Sequence, residues 1–186
     1  MAQVESLCVS RRLPQPRTNR QASVSKSGGL FEVRRSSIHG SGVFALQAIA
    51  AEAELIDYCG KLISHAVADR RYAGSADSGH TFLFTLNEHY IIDANVDGNE
   101  ARWINHSCAP NCRASVVESD SGRPQDERVV IESIRATAAG DELTYDYGII
   151  LDQRHTPRLK RLWACLCGAA NCTGTMLKPK GPAQRR

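Results

Sequence analysis

The sequence predicts a mostly β protein: one compact body of short strands, followed by a cysteine-bearing C-terminal extension. Three observations carry that expectation. Eight segments of four to seven residues, rich in Val, Ile, Phe, Tyr or Thr, are divided by clusters of Gly, Asp, Asn and Ser. No strand–helix–strand alternation appears, which argues against a doubly wound nucleotide fold. Three of the seven cysteines fall between residues 165 and 172, beyond the last strand.

In chain order, residues 1–29 are rich in Ser, Arg, Gln and Pro without an apolar period, and read as a disordered basic tail. They contain no apolar core of a secretory signal, and Pro14 and Pro16 weaken a transit-helix reading. The expected strands are Phe31–Arg34, Val43–Gln47, Leu55–Tyr58, Thr81–Leu86, Tyr90–Asp93, Ser115–Glu118, Arg128–Ile134 and Glu142–Tyr145. Turns fall at His39–Gly42, Ala94–Gly98, Ser119–Gln125 and Ala139–Asp141. Only Ser64–Tyr72 and Asn99–Asn105 carry a helical pattern, and both are short. The expected organisation is a basic tail (1–29), a strand-rich body (30–148), a cysteine-bearing element (149–178) and a second basic tail (179–186).

The 186 residues suit one domain, and no apolar run reaches the ~18 residues of a membrane span. The formal charge of +3 is unevenly spread. Residues 1–29 carry five basic residues against Glu5 alone, and residues 178–186 add four more, whereas residues 30–153 hold 10 basic and 19 acidic residues. An acidic body repels phosphate backbones and steers cationic partners toward itself. Nucleic acid is therefore expected to touch only the tails, and weakly.

Cys165, Cys167 and Cys172 lie within eight residues. With no secretory signal beside them, reduced thiols in an intracellular setting are expected, and neighbours two apart make a strained disulfide. A metal suits them better, but structural zinc closes a tetrahedron of four ligands. Histidine is absent from 156–186, so the fourth ligand comes from elsewhere, with Cys108 and Cys112 as the candidates. Cys8 and Cys59 read as bystanders, Cys59 as a small core residue.

Three further runs stand out together: His39-Gly40-Ser41-Gly42-Val43-Phe44, Arg102-Trp103-Ile104-Asn105-His106-Ser107-Cys108-Ala109-Pro110-Asn111, and Asp141-Glu142-Leu143-Thr144-Tyr145-Asp146-Tyr147-Gly148. Each alone is weak. In this order, with Asp57-Tyr58-Cys59-Gly60 between the first two and Cys-x-Cys-x4-Cys after the last, they resemble the SET-domain protein-lysine methyltransferases over about residues 30–178. The resemblance implies a SET fold of small curved β-sheets, with a C-terminal pseudoknot that makes the Asn-His and Tyr-Asp-Tyr runs neighbours. It also implies a zinc-bound post-SET extension, and selects Cys108 as fourth ligand beside Cys165, Cys167 and Cys172.

The implied reaction is in-line transfer of a methyl group from S-adenosylmethionine to a lysine ε-amine. Lysine titrates near 10.4, so presenting it neutral at pH 7 costs roughly 4–5 kcal/mol. An apolar aromatic channel beside a sulfonium disfavours the ammonium, and alignment supplies much of the remaining acceleration. By match to the family, Tyr147 is the hydroxyl near the methyl, Tyr58 lines the lysine channel opposite it, and Tyr145 occupies the position that sets product degree. A tyrosine there favours mono- or dimethylation. Ser41, Gly42, Phe82, Arg102, Asn105, the His106 backbone, Tyr147 and Leu177 are the implied cofactor contacts. Leu177 stands where many relatives place an aromatic residue, and Lys61 where the family usually has an acid. The expected partner is a lysine-rich protein segment, plausibly a histone-like tail, in the cytoplasm, on chromatin or as an exported effector. Two other classes stay open: a catalytically silent SET module, and a chromatin-binding protein acting through basic tails.

Overall fold

A computed structural model of the chain describes residues 29–73, 82–151 and 153–179. The two expected tails lie, but for residues 29 and 179, outside the described residues. The strands are β1 (Phe31–Arg35), β2 (Ser41–Ala45), β3 (Glu54–Asp57), β4 (Lys61–Ser64), β5 (Leu83–Thr85), β6 (Tyr90–Asp93), β7 (Asn105–His106), β8 (Cys112–Val117), β9 (Arg128–Ser133) and β10 (Glu142–Tyr145). Helices are few: α1 (His65–Arg71), α2 (Pro157–Leu162), and 3-10 turns at Glu100–Trp103 and Pro124–Asp126.

Three small sheets share one core. The first runs β1-β2-β10-β7, the second β3-β9-β8 and the third β4-β6-β5. β9 is the most deeply packed strand: its Val129, Val130 and Ile131 are fully buried between β3 and β8, where β-branched side chains fit a two-sided pleat. The core gathers Val43, Ile49, Ile92, Ile104, Ile131 and Leu143 with Tyr58 and Tyr145. Gly60 permits a close approach, since a Cβ there would sit 2.7 Å from the backbone carbonyl of Asp93.

The pairing that matters most for function is local and unusual. β10 lies antiparallel to β2 on one side and parallel to the two-residue β7 on the other, placing Thr144 opposite Asn105 and Tyr145 opposite His106. Asn111 locks this crossing from within: its amide donates to Glu142 O at 2.9 Å and accepts from Thr144 N at 2.8 Å. Sites from distant parts of the sequence thereby become neighbours.

Some elements differ from expectation. β4 was not legible, being four residues directly after a glycine. The helix expected over Asn99–Asn105 is one 3-10 turn that ends as Ile104 turns extended (ψ 115°) to enter β7. α2 carries signals that were passed over: Thr156 caps it by accepting from Leu159 N at 3.2 Å, and Pro157 opens it. Cys59 is half-buried rather than a fully buried core residue.

Candidate functional site

A cleft of about 430 Å³ lies between the strand body and the C-terminal extension. The body contributes Ile38–Ser41, Phe82, Arg102, Trp103, Asn105, His106 and Tyr147; the extension contributes Ile149, Leu162–Leu166 and Met176. The cleft thus depends on both parts being in place.

Six of the residues named as cofactor contacts line it: Ser41, Phe82, Arg102, Asn105, His106 and Tyr147. Two are not among the lining residues. Gly42 faces inward, where a Cβ would lie 2.3 Å from Glu142 Oε1 and 3.0 Å from Ser36 Cβ. Its lack of a side chain therefore serves internal packing against Glu142. Leu177 is 5% exposed and bridges Ile149, and its neighbour Met176 faces the cleft in its place.

The polar wall is braced from behind. Asn105 Nδ2 donates to Ser41 O at 2.9 Å and to Glu142 Oε1 at 2.8 Å, while Ser36 Oγ donates to the same carboxylate at 2.8 Å. Arg102 Nη1 donates to Ala94 O at 3.0 Å, and the guanidinium carbon stands 4.6 Å from the Trp103 ring centroid. Arg102 Nε and Trp163 Nε1 are buried without a hydrogen-bond partner among the described residues.

Behind the cleft runs a row of aromatic rings. Tyr147 lies 4.9 Å from Tyr145, Tyr145 6.4 Å from Phe84, and Phe84 5.3 Å from Tyr58. Tyr58 then borders a second, small cavity of about 50 Å³, whose other lining residues include Asp57, Leu62, Ile92 and Glu127. The row therefore joins two cavities, with Tyr147 at one and Tyr58 at the other. Phe84 was passed over in the sequence, although it sits two residues from Phe82 and strand alternation puts both on one face.

Burial pushes all three tyrosine hydroxyls above their ordinary range. Glu142 adds to the effect at Tyr147, and the tyrosines reinforce one another at Tyr58 and Tyr145. All three are neutral hydroxyls at pH 7, able to donate and accept but poor as bases. Tyr147 OH donates to Ile104 O at 2.9 Å, and Tyr58 OH to Phe82 O at 3.2 Å. Burial also pulls the His106 imidazole below its usual range, with Lys178 adding to the effect and Asp146 opposing it.

The cysteines form a second constellation. The sulfurs of Cys108, Cys165, Cys167 and Cys172 all lie within 4.8 Å of one another, and Cys108 Sγ is 3.8 Å from Cys165 Sγ. A zinc tetrahedron with arms of about 2.3 Å has edges of about 3.8 Å, so four thiolates at this spacing fit a structural zinc ion. Burial opposes ionisation at Cys167, but backbone amides of Cys108 and Ala169 and the neighbouring thiols outweigh it, lowering that thiol to about 6. Cys112 is excluded from the cluster: it is 1% exposed, sits on β8, and burial pushes its thiol up to about 11. The alternative between Cys108 and Cys112 is thus resolved for Cys108 as the cluster's fourth member.

Comparison with known proteins agrees with this arrangement. The sequence model of the SET domain matches residues 40–148. The chain is 41% identical over 143 residues to a "Histone-lysine N-methyltransferase, H3 lysine-4 specific" of Saccharomyces cerevisiae, covering 75% of this chain and 12% of that protein. It is 40% identical over 144 residues to "Histone-lysine N-methyltransferase SETD1" of Drosophila melanogaster, covering 76% of this chain and 8% of that protein. A human relative, "Histone-lysine N-methyltransferase SETD1B", is 38% identical over 144 residues, with 76% and 7% covered. The chain therefore spans roughly a tenth of the length of these relatives. It belongs to the SET-domain family. No helix among the described residues is long and apolar enough to cross a membrane.

Proposed function

We propose that this member of the SET-domain family is a protein-lysine methyltransferase acting on a histone H3-like tail. The observation that carries the reading is the aromatic row between two cavities, with Tyr147 facing the large cleft and Tyr58 the small one. The relatives' names support a histone as the substrate. Residues 30–148 serve as the catalytic body and 149–178 as the zinc-bound post-SET element.

The large cleft suits S-adenosylmethionine, which supplies a methyl group on a sulfonium. Phe82, Trp103, Trp163, Leu162 and Met176 give it apolar walls, and Ser41, Arg102, Asn105 and the His106 backbone give it polar contacts. The lysine enters from the Tyr58 side. There Glu127 supplies negative charge toward a cation, Asp57 being paired with Arg128 at 2.7 Å, and the aromatic rings beyond strip water from the amine. A desolvated ammonium loses its proton more readily, which reduces the roughly 4–5 kcal/mol cost of presenting the neutral amine. Tyr147 keeps its hydroxyl neutral, donates its one proton to Ile104 O, and orients the amine by accepting a hydrogen bond from it, which leaves the amine lone pair free. Tyr145, 7% exposed and packed at a 49° tilt against Tyr147, limits the space around a growing methylammonium and favours mono- or dimethylation.

The zinc ion, held by Cys108, Cys165, Cys167 and Cys172, ties the extension to the body and so completes the cleft wall. Its thiolates require a reducing setting, which suits the nucleus or cytoplasm and fits a chromatin substrate. Labelled S-adenosylmethionine incubated with histone H3 and either wild type or Tyr147→Phe tests the reading. Transfer by wild type that is lost in the variant supports it; equal labelling by both refutes the assigned site. Mass spectrometry of the product tests the degree: trimethyllysine dominating at early turnover would sink the Tyr145 assignment.

A further inference from the structure

His106 contributes more than its backbone to the site. Its side chain is 4% exposed and stands between the cysteine cluster and Tyr147. The Tyr147 amide donates to Nδ1 at 3.1 Å, so Nδ1 carries no proton and the ring's single N–H is assigned to Nε2 by this geometry. Nε2 in turn lies 3.7 Å from Cys108 Sγ, within reach of a hydrogen bond to sulfur. Among the described residues the carboxylate facing the ring is that of Asp146, whose Oδ1 is 3.7 Å from Nδ1 and whose Oδ2 is paired with Lys178 Nζ. That distance is too long to claim Nδ1 as a donor. The imidazole also meets the Tyr147 ring edge-on, with centroids 5.3 Å apart.

We infer that the His106 side chain couples the metal cluster to the catalytic tyrosine: Nε2–H donates to the Cys108 thiolate while Nδ1 accepts from the Tyr147 amide. His106 is thus a positioning residue with two separable ends. A hydrogen bond to a metal-bound sulfur fixes the ligand's orientation and lowers the energy of its lone pairs. Through the same rigid ring, the position of Cys108 sets the position of the Tyr147 backbone. Metal occupancy therefore bears on the geometry of the tyrosine as well as on the extension. The inference rests on the zinc and Tyr147 assignments above.

Cobalt substitution in the whole 186-residue chain separates the two ends. His106→Asn keeps an acceptor near the Nδ1 position but loses the reach to Cys108, whereas His106→Gln extends a donor toward the Nε2 position and loses the acceptor. The sulfur-to-cobalt charge-transfer band should move to longer wavelength in His106→Asn and stay near wild type in His106→Gln. Metal affinity should fall about 10-fold or more in His106→Asn. The drop in kcat, with KM for S-adenosylmethionine less altered, should be larger in His106→Gln. An unshifted band in cobalt-loaded His106→Asn, or equal losses in both variants, overturns the coupling. If wild type gives no tetrathiolate cobalt spectrum, the zinc assignment falls together with the coupling; a normal wild-type spectrum with unmoved variants removes the coupling alone.

Discussion

Strand β9 and the segment from Cys165 to Cys172 hold their shape by opposite means. β9 is laddered to β3 and β8, and its Val129 and Ile131 are wholly removed from water. The cysteine segment carries no strand or helix of its own. Around it the extension is fastened by two isolated bridges, Ile149 with Leu177 and Ala164 with Thr175, by Met176 N donating to Trp163 O at 2.9 Å, and by four sulfurs. Burial sustains the body, whereas the extension needs a cross-link that its apolar surface cannot replace. The cleft is walled by both, so its integrity is set by the weaker of the two.

The largest expected effect breaks the extension and spares the body. Cys165→Ser should abolish stoichiometric zinc, since structural zinc supplies on the order of 10 kcal/mol in small metal modules and three thiolates do not close the tetrahedron. Metal analysis with circular dichroism checks this: zinc is lost while the β signal persists. Retention of one zinc per chain would refute the four-ligand assignment. Next in size, Tyr147→Phe removes one hydroxyl at the junction and should lower kcat about 10²–10³-fold, with a loss of about 1–2 kcal/mol in stability from the unpaired Ile104 O.

Smaller effects belong to the body. Asn111→Ala leaves Glu142 O and Thr144 N unpaired inside the crossing, and should cost about 3 kcal/mol by denaturant titration without loss of zinc. Asp93→Asn should cost about 1–2 kcal/mol at pH 7. Burial alone would raise the Asp93 carboxyl, but hydrogen bonds from Tyr72, Asn95 and Arg71 outweigh it and hold it below the ordinary carboxylate range. Its folded-state pKa is depressed, so its stabilisation is complete above about pH 4 and is lost as pH falls further. The gap between wild type and variant should therefore narrow only in acid; a gap that is constant down to pH 2 contradicts the assignment.

The same contrast explains what the sequence made legible. Tyr90–Asp93 and Glu142–Tyr145 match their strands end to end, because alternating or continuous apolar runs are a local signal. The two-residue β7 has no period to read, and it exists only because β10 passes beside it. Tyr147, Asn105 and Cys108 are assigned by the resemblance to the SET family that their runs carry, and Cys165, Cys167 and Cys172 by their close spacing. Trp103, Trp163 and Met176 were missed because nothing in a sequence says which apolar side chains border a cleft rather than fill a core. At Gly42 the atoms that a side chain would meet belong to Glu142 and Ser36, which the sequence does not show.

The central claim is that a metal-clamped extension and a self-sufficient body together form the nucleoside cleft. Calorimetric titration of S-adenosylhomocysteine into zinc-loaded and chelated protein tests it most directly, with circular dichroism recorded on both samples. Binding should be present with zinc and weakened at least 10-fold without it, while the β signal of the body is kept. Equal affinity in the two samples, with zinc shown to be removed, would contradict the account.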